Sequence, residues 1–356
     1  MLETLQLCCT SDRNPRFGSP EELPLPSMFE APNLRHLQLS DLAFLPQSSQ
    51  LLSSVATTGR PSIVTFSLGE ITTTPAILME SLALMPHLKV LKIGVFFAIP
   101  SKRTERTERD LSTGKPKLAS LDLTNLEEFE FRGTSDYLEA LAARISAPFL
   151  KKLSITLSDS IDSRDLDLDA STFKYLSRLT NGVADLAFQF ARVRFKDGFS
   201  IVMDHNELWT GRGAFELKFS YGGYHFDTDI GLTAKICRML VPMPSTVHQL
   251  LLEDGHRNDW GQKPTRKGWH DLLRIFDGVK TLRVAGRFVE ELDKALKPDE
   301  DSKDGDGSAV LTLLPRLEEI VRYGPENEFA AFVEARQGAG LPVRVVSGPK
   351  NRLTLV

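Results

Sequence analysis

The feature that most constrains this sequence is a short apolar unit that returns along nearly the whole chain. Three apolar residues stand at positions 1, 4 and 6 of each unit, as in Leu34, Leu37 and Leu39. Successive units begin 25 to 38 residues apart, apart from one step of 64 residues that equals two periods. Such spacing is typical of solenoid proteins. The units begin at Leu2, Leu34, Ile63, Leu88, Leu118, Leu150, Val183, Val247, Val279 and Leu317, with an echo of the fifth at Leu126.

Positions 4 and 6 of the unit predict a strand with one covered face. Residues two apart in an extended chain point to the same side, and the residue between them points to the other. Gln38, between Leu37 and Leu39, therefore predicts a face in contact with water. The strands of a doubly wound α/β domain are apolar throughout, so the unit favours a repeat solenoid over that alternative.

The segments between the units have helical periodicity. Leu138, Leu141 and Ala142, for example, form one apolar stripe. We therefore predict an α/β repeat solenoid, a curved horseshoe with parallel strands on its concave face and helices outside. A single array of about ten repeats should cover residues 1–356. The predicted helices are Gln50–Ala56, Ile77–Met85, Tyr137–Ile145, Phe173–Leu179, Leu232–Val241, Trp269–Phe276, Phe288–Leu296 and Phe329–Ala335.

Three stretches depart from this pattern. Between residues 183 and 221 the period changes to strict alternation, and Asp197-Gly198 supplies a turn, which predicts an antiparallel β excursion. Residues 100–116 are rich in Lys, Arg and Glu, and residues 297–308 are rich in acidic residues and glycine. Both contain too little apolar surface to order themselves, so we predict mobile loops there.

Composition and charge exclude several classes of protein. Lys and Arg number 43 against 47 Asp and Glu, and this net charge of −4 argues against general nucleic-acid binding. No apolar run approaches the ~18 residues of a membrane span, and no secretory signal is visible. The three cysteines, Cys8, Cys9 and Cys237, do not form a disulfide framework. We therefore expect an intracellular protein, cytoplasmic or nuclear, that binds neither nucleic acid nor membrane.

Motifs for catalysis, metals and cofactors are absent from the sequence. There is no phosphate-binding loop, dinucleotide fingerprint, nucleophile elbow or zinc-protease motif. The acidic stretch after Asp299 does not match a calcium loop, because Lys303 falls on a ligand position. We expect no metal, no cofactor and no enzymatic activity. The alternative is a hydrolase or transferase with a site around Asp204, His205 and Glu207, although no motif supplies a nucleophile there.

Two units carry a resemblance to a known family. Leu34–Leu39 follows Ala-Pro-Asn, and Leu88–Ile93 follows Met-Pro-His. Over residues 2–322 the chain resembles the degenerate leucine-rich-repeat region of fungal F-box-like proteins, although it lacks the Asn that follows the triplet in standard repeats. The resemblance implies a protein-interaction scaffold, the substrate-recognition part of a ubiquitin ligase. The alternative is a plain repeat binding module unrelated to ubiquitin.

Because only Met1 precedes the first unit, we expect this chain to lack the F-box module itself. We therefore expect protein partners, with a cullin-ligase adaptor among them only if a longer product carries an upstream F-box.

The candidate protein-binding residues form two sets. One set occupies the water-facing strand positions, and the other lies in residues 256–270, where basic residues alternate with tryptophans. Arg and Trp are enriched at interface anchors. The alternative is that Trp269 lies in the helix core and Trp260 folds its loop onto the sheet. The candidates are His36, Gln38, Lys92, Glu128, Glu130, Lys152, Gln249, Arg283, Trp260, Arg266, Lys267 and Trp269.

Overall fold

The structure is a computed structural model in which the chain forms two compact units. Unit 1 is Met1–Ser158 and unit 2 is Asp159–Val356. The single array over residues 1–356 stays a prediction. The described residues are 2–8, 33–40, 62–71, 74–95, 120–158, 179, 183, 187–196, 198–205, 214–220, 226–240, 243–255, 265–297, 313–323 and 328–348. The loop predicted at 100–116 and the predicted helix Gln50–Ala56 lie outside them, and of the loop predicted at 297–308 only Lys297 is described.

Unit 1 contains a parallel sheet whose described strands run in the order β1-β2-β3-β4-β6-β8. Its described elements in chain order are β1 (Thr4–Cys8), β2 (His36–Ser40), β3 (Thr65–Ile71), α1 (Pro75–Ala83), β4 (Val90–Val95), β5 (Leu121–Asp122), β6 (Glu128–Gly133), α2 (Ser135–Ala142), β7 (Ile145–Ser146) and β8 (Lys152–Leu157). β5 and β7 pair with each other in a separate two-stranded sheet.

Unit 2 contains a mixed sheet with described strands in the order β11-β10-β9-β12-β13-β14-β15. Its described elements are β9 (Phe190–Phe195), β10 (Gly198–Asp204), β11 (Phe215–Ser220), α3 (Phe226–Met239), a 3-10 turn (Met243–Thr246), β12 (Gln249–Asp254), α4 (Arg266–Leu273), β13 (Thr281–Ala285), α5 (Phe288–Leu296), β14 (Glu319–Tyr323), α6 (Ala330–Gly338) and β15 (Arg344–Ser347). Along the order β9-β12-β13-β14-β15 neighbouring strands are parallel, and β9, β10 and β11 pair antiparallel as the alternation predicted.

One backbone hydrogen-bond pattern recurs where each repeat begins. The carbonyl of Lys89 accepts from the amides of Glu127 at 2.8 Å and Glu128 at 3.0 Å. In the same way the carbonyl of Lys280 accepts from Glu318 at 2.8 Å and Glu319 at 3.0 Å. In both cases the carbonyl at position 2 of one triplet accepts hydrogen bonds from the amides at positions 2 and 3 of the next triplet. This double acceptance fixes the register, so equivalent triplet residues stack in rows.

Burial follows the triplet as predicted. Leu37, Leu39, Leu91 and Ile93 are buried, whereas Gln38, between two of them, is exposed. Because the apolar positions of neighbouring strands are in register, their side chains merge into one core layer on one face of each sheet.

Gly198 holds the turn between β9 and β10. Its φ of +121° is in a region that L side chains rarely adopt, and an added Cβ would collide with the carbonyl oxygen of Phe219. The predicted turn at Asp197-Gly198 therefore needs glycine at its second position.

Two predicted strand positions are wrong. The unit at Leu118 enters only the short β5, and its echo supplies β6, which lies between β4 and β8. Each repeat contributes one strand to the parallel sheet of unit 1. The triplet at Leu126 supplies that strand because it buries the large rings of Phe129 and Phe131. The unit at Val183 does not form the predicted strand either. Val183 is helical, and the next strand, β9, begins only at Phe190.

The helices lie near their predicted positions, with one change. α2 ends at Ala142, so Ile145, predicted as the end of this helix, lies in β7 instead. The first turn of α1 is capped by Thr74, whose Oγ1 accepts from the amide of Ile77 at 3.4 Å. Of the predicted helix at 173–179, only Leu179 is described, and it is helical.

Candidate protein-binding surfaces

In unit 1 the helices cover one face of the sheet. Tyr137 of α2 stacks on Phe131 of β6 with ring centroids 6.1 Å apart, and this burial raises the pKa of Tyr137. The other face, which we call the unit 1 open face, carries the residues between the apolar triplet positions. Among the described residues these are Thr4, Gln6, His36, Gln38, Thr65, Ser67, Lys92, Glu128, Glu130, Lys152 and Ser154.

Four of the predicted binding residues lie together on the unit 1 open face. Lys92 Nζ lies 3.5 Å from Glu130 Oε2 across β4 and β6, and Lys152 Nζ lies 3.7 Å from Glu128 Oε2 across β6 and β8. These side chains and Ser154 line a shallow recess over the three strands. Because the side chains are about half exposed, their ion pairs contribute little to stability and can exchange partners.

A second charged row precedes these strands. Glu127 bridges two lysines, with Lys151 Nζ at 2.9 Å and Lys89 Nζ at 3.3 Å. The hydrogen bonds from Lys151 and Lys89 hold the pKa of the Glu127 carboxyl below its usual value. β6 therefore carries a line of glutamates with lysines on both neighbouring strands.

The remaining predicted residues of unit 1 lie apart from this recess. His36 and Gln38 are exposed on β2, and β3 separates that strand from β4. They share the open face with Lys92 but do not contribute to the recess.

Helices also cover one face of the unit 2 sheet. Phe288 of α5 makes edge-to-face contacts with Phe195 of β9 at 5.4 Å and with Trp269 of α4 at 5.1 Å, measured between ring centroids. Trp269 is only 1% exposed. Its prediction as an interface anchor is therefore corrected: the large apolar ring fills the helix core, and the alternative interpretation holds for this residue.

The other predicted residues within 256–270 have different surroundings. Arg266 Nε donates to the carbonyl of Ala295 at 3.2 Å, and the ring Nε2 of His270 lies 2.8 Å from the same oxygen. Both side chains thus contact the C-terminal turn of α5, where the positive charge of Arg266 is favourable. Lys267 is exposed on α4, and Trp260 lies outside the described residues.

The face of the unit 2 sheet opposite Phe195, which we call the unit 2 open face, contains an ion pair that the sequence pattern did not predict. Arg192 of β9 and Glu253 of β12 approach to 2.6 Å between Nη2 and Oε2, and their side chains are 14% and 9% exposed. The predicted residues Gln249 and Arg283 are half-buried on this face, on β12 and β13. In the sequence, Arg192 alternates with apolar residues, and this pattern could have identified it as a residue of the open face. The pattern is clear only when β9 is known to begin at Phe190.

The residues of the enzyme alternative are engaged by local structure. His205 Nδ1 lies 2.9 Å from the carbonyl oxygen of Ala187, and its ring stacks on Phe188 at 5.1 Å. Asp204 Oδ1 accepts from the backbone amide of His205 at 2.7 Å. Both groups thus have structural partners, and Glu207 lies outside the described residues.

Two further kinds of feature are absent from the described part of the chain. No group of three or more His, Cys, Asp or Glu side chains there is placed to hold a metal ion. No described helix is long and apolar enough to cross a membrane.

Comparison with solved structures finds weak similarity to two known proteins. The leucine-rich-repeat-containing protein LegL7 from Legionella pneumophila is 14% identical, and the match covers 86% of this chain and 82% of that chain with a TM-score of 0.31. A TLR13–ssRNA13 complex is 10% identical, covering 82% of this chain and 32% of that chain with a TM-score of 0.30. No family model and no curated protein matches the chain. Because both TM-scores are low, the repeat architecture rests on the strands and hydrogen bonds described above.

Proposed function

We propose that this protein is a non-enzymatic scaffold of the leucine-rich-repeat type, a horseshoe that binds another protein through the open faces of its strands. The observation that carries the proposal is the contrast between the two faces of each sheet. Helices and the apolar core cover one face of each sheet, and in unit 1 the other face presents rows of polar side chains in register. Repeat proteins typically bind partners on such extended surfaces.

The unit 1 recess is the best-supported part of that surface. Lys92, Glu128, Glu130 and Lys152 are accessible, lie on three adjacent strands and are held only by exchangeable ion pairs. A partner with side chains of both charges can replace these contacts with its own. Charge arrangement of this kind contributes mainly to specificity and to the rate of association.

The experiment that tests this role compares three immobilised forms of the full chain as bait for proteins of a native extract. The first is the wild type, and the second carries Lys92→Glu with Glu130→Lys, which reverses one ion pair and keeps its sum of charges. The third carries Lys294→Glu with Glu290→Lys, a matched reversal of an exposed pair on α5. We expect a partner retained by the wild type and the α5 variant and lost, by about tenfold or more, from the Lys92/Glu130 variant. Equal retention by all three baits would contradict binding at the recess.

We propose further that the partner is a substrate of an F-box-like ubiquitin ligase. This finer role is supported by the resemblance of Leu34–Leu39 and Leu88–Ile93 to the repeats of such proteins. Its test measures whether the abundance of the retained partner rises when this chain is depleted from cells, and whether blocking the proteasome removes that difference. If the abundance of the partner responds to neither treatment, the protein is a plain binding scaffold unrelated to ubiquitin.

A further inference from the structure

The β excursion carries a group of positive charges on the unit 2 open face. Arg194 of β9, Ser200 of β10 and Lys218 of β11 lie side by side, because Ser200 is the register partner of both other residues. Lys196 follows Arg194 by two residues and therefore lies on the same face. Lys196 and Lys218 are exposed, and Arg194 is half-buried. We call Arg194, Lys196 and Lys218 the cationic patch.

The carboxylate that lies beside the patch on β12 is already engaged. Glu253 is the register partner of Arg194, and its Oε2 accepts from Nε and Nη2 of Arg192. In the described part of the chain, the side chains of the cationic patch have no hydrogen-bond or ion-pair partner. Their charges are therefore available to a ligand.

A further carboxylate, Glu216 of β11, belongs to the next row of the open face. Glu216 lies opposite Val202, whose other register partner is Arg192. The rows closer to the turn between β9 and β10 contain the cationic patch, and none of their described residues on β9, β10 and β11 is acidic. This end of the antiparallel strands therefore carries three uncompensated positive charges.

The spacing of the cations indicates the form of the ligand. Arg194 and Lys196 are two residues apart on one strand, which corresponds to about 7 Å, and Lys218 lies two strands from Arg194, which corresponds to about 10 Å. Because the three charges are spread over the face, they fit several separate carboxylates better than one phosphate group. An extended chain places every second side chain on one side with the same spacing of about 7 Å. Alternate carboxylates of such a chain can therefore meet Arg194 and Lys196 together.

We propose that the cationic patch binds an extended acidic segment of a partner protein in which carboxylates occupy alternate positions. This inference rests on the proposed scaffold function and adds the chemistry of the segment that the unit 2 open face takes. The guanidinium of Arg194 holds one carboxylate through two hydrogen bonds, Lys196 attracts the next, and Lys218 raises the local positive potential. The hydroxyl of Ser200, between Arg194 and Lys218, is a further donor.

Two other kinds of anion fit the patch less well. Single-stranded nucleic acid is held by bases stacked on aromatic rings, and the described residues of these rows include no aromatic ring. A small free anion is typically bound in a concave pocket, whereas the patch lies on the open face of a sheet. An acidic protein segment needs neither feature, because repeat proteins bind their partners on extended surfaces.

The test is fluorescence anisotropy of a labelled synthetic peptide titrated with the full chain. The peptide is about ten residues long and alternates glutamate with serine, so that its carboxylates repeat at the spacing of Arg194 and Lys196. We expect binding that weakens as the salt concentration rises, because salt screens exposed charges. The triple variant Arg194→Gln, Lys196→Gln, Lys218→Gln should bind about tenfold more weakly, with unchanged circular dichroism.

A second triple variant is the matched control. Lys235→Gln, Arg274→Gln and Lys294→Gln also remove one arginine and two lysines, and all three side chains are exposed on or beside the helices of unit 2. This variant has the same net charge as the first and should bind the peptide like the wild type. A second peptide has the same residues with its glutamates in one continuous run. It should bind the wild type about threefold more weakly, because alternate carboxylates of the run point away from the sheet.

Absence of peptide binding by the wild type overturns the proposal, as does an equal affinity of the two triple variants. Equal affinity of the wild type for the two peptides overturns the alternate spacing. Tighter binding of an oligothymidylate than of either peptide overturns the protein ligand and assigns the patch to nucleic acid. The proposed function fails separately, because its extract experiment alters the unit 1 recess and leaves the cationic patch intact.

Discussion

Arg192 and Glu253 form an ion pair on adjacent parallel strands, with both guanidinium Nε and Nη2 donating to Oε2 at 2.8 Å and 2.6 Å. Both side chains are more than four-fifths buried. Removing two charges from water costs several kcal/mol for each, and only close, well-formed contacts offset that cost. Removing either side chain would therefore leave the charge of the other buried without compensation.

Breaking this pair should destabilise the chain strongly, and replacing both members should not. We expect Arg192→Met or Glu253→Leu alone to lower the free energy of unfolding by about 3–5 kcal/mol, because each leaves an uncompensated buried charge. The double variant should lie close to the wild type. Urea unfolding of the four proteins measures the coupling, and a double variant that loses the sum of both single effects would contradict the geometry.

The two faces of β4 should respond differently to truncation. Leu91 is fully buried, so Leu91→Ala should lower the free energy of unfolding by about 2–5 kcal/mol through lost transfer energy and the cavity left behind. Lys92, its neighbour on the open face, is half-exposed, and Lys92→Ala should change the free energy by only about 0.5 kcal/mol. Thermal unfolding of both variants checks the assignment of the faces. Equal losses would mean that the faces are assigned wrongly.

Cys237 should be unreactive until the chain unfolds. Its thiol is fully buried, and burial raises its pKa to about 12. At pH 8 its thiolate fraction is about 10⁻⁴, and the thiolate is the form that reacts. In a Cys8→Ser, Cys9→Ser background, Ellman's reagent should label no thiol in the folded chain and one in denaturant. Rapid labelling of the folded variant would show that Cys237 is accessible.

Glu127 should add stability only where it is ionised. Lys151 and Lys89 lower the pKa of the Glu127 carboxyl in the folded chain. Its contribution to stability is therefore complete above the pKa that this carboxyl has in the unfolded chain, and it is lost as the pH falls through the pKa in the folded chain. A titration of the carboxyl ¹³C resonance should give a value below that of a model peptide. The double variant Lys89→Gln, Lys151→Gln should move it back. A pKa that does not respond to these substitutions would show that the two lysines do not cause the shift.

The sequence predicted the covered and open faces of the strands well. Residues two apart in a strand lie on the same face whichever strands pair with it. Lys92 and Gln38, which follow the apolar residues Leu91 and Leu37, were therefore correctly predicted to lie on the open face. Helices such as α5 were located from their apolar stripe for the same local reason.

The sequence could not choose between competing units. Leu118 and Leu126 begin equally good triplets, and only pairing with β4 and β8 shows that the second one enters the main sheet. The alternating pattern predicted the β excursion, but the triplet pattern predicted a strand from Val183, which is helical, whereas β9 begins at Phe190. β9 has a parallel neighbour on one side and an antiparallel one on the other, which the triplet pattern does not describe.

The amino-acid sequence by itself determined which residues of each repeat are apolar and therefore which face of each strand is buried, because that follows from the local period of the chain. Tertiary structure alone decided which side chains meet. Arg192 and Glu253 are 61 residues apart, and Lys92 and Glu130 belong to different repeats. Their contacts depend on strand order and register, and these are set by long-range backbone hydrogen bonds and core packing that no local pattern encodes.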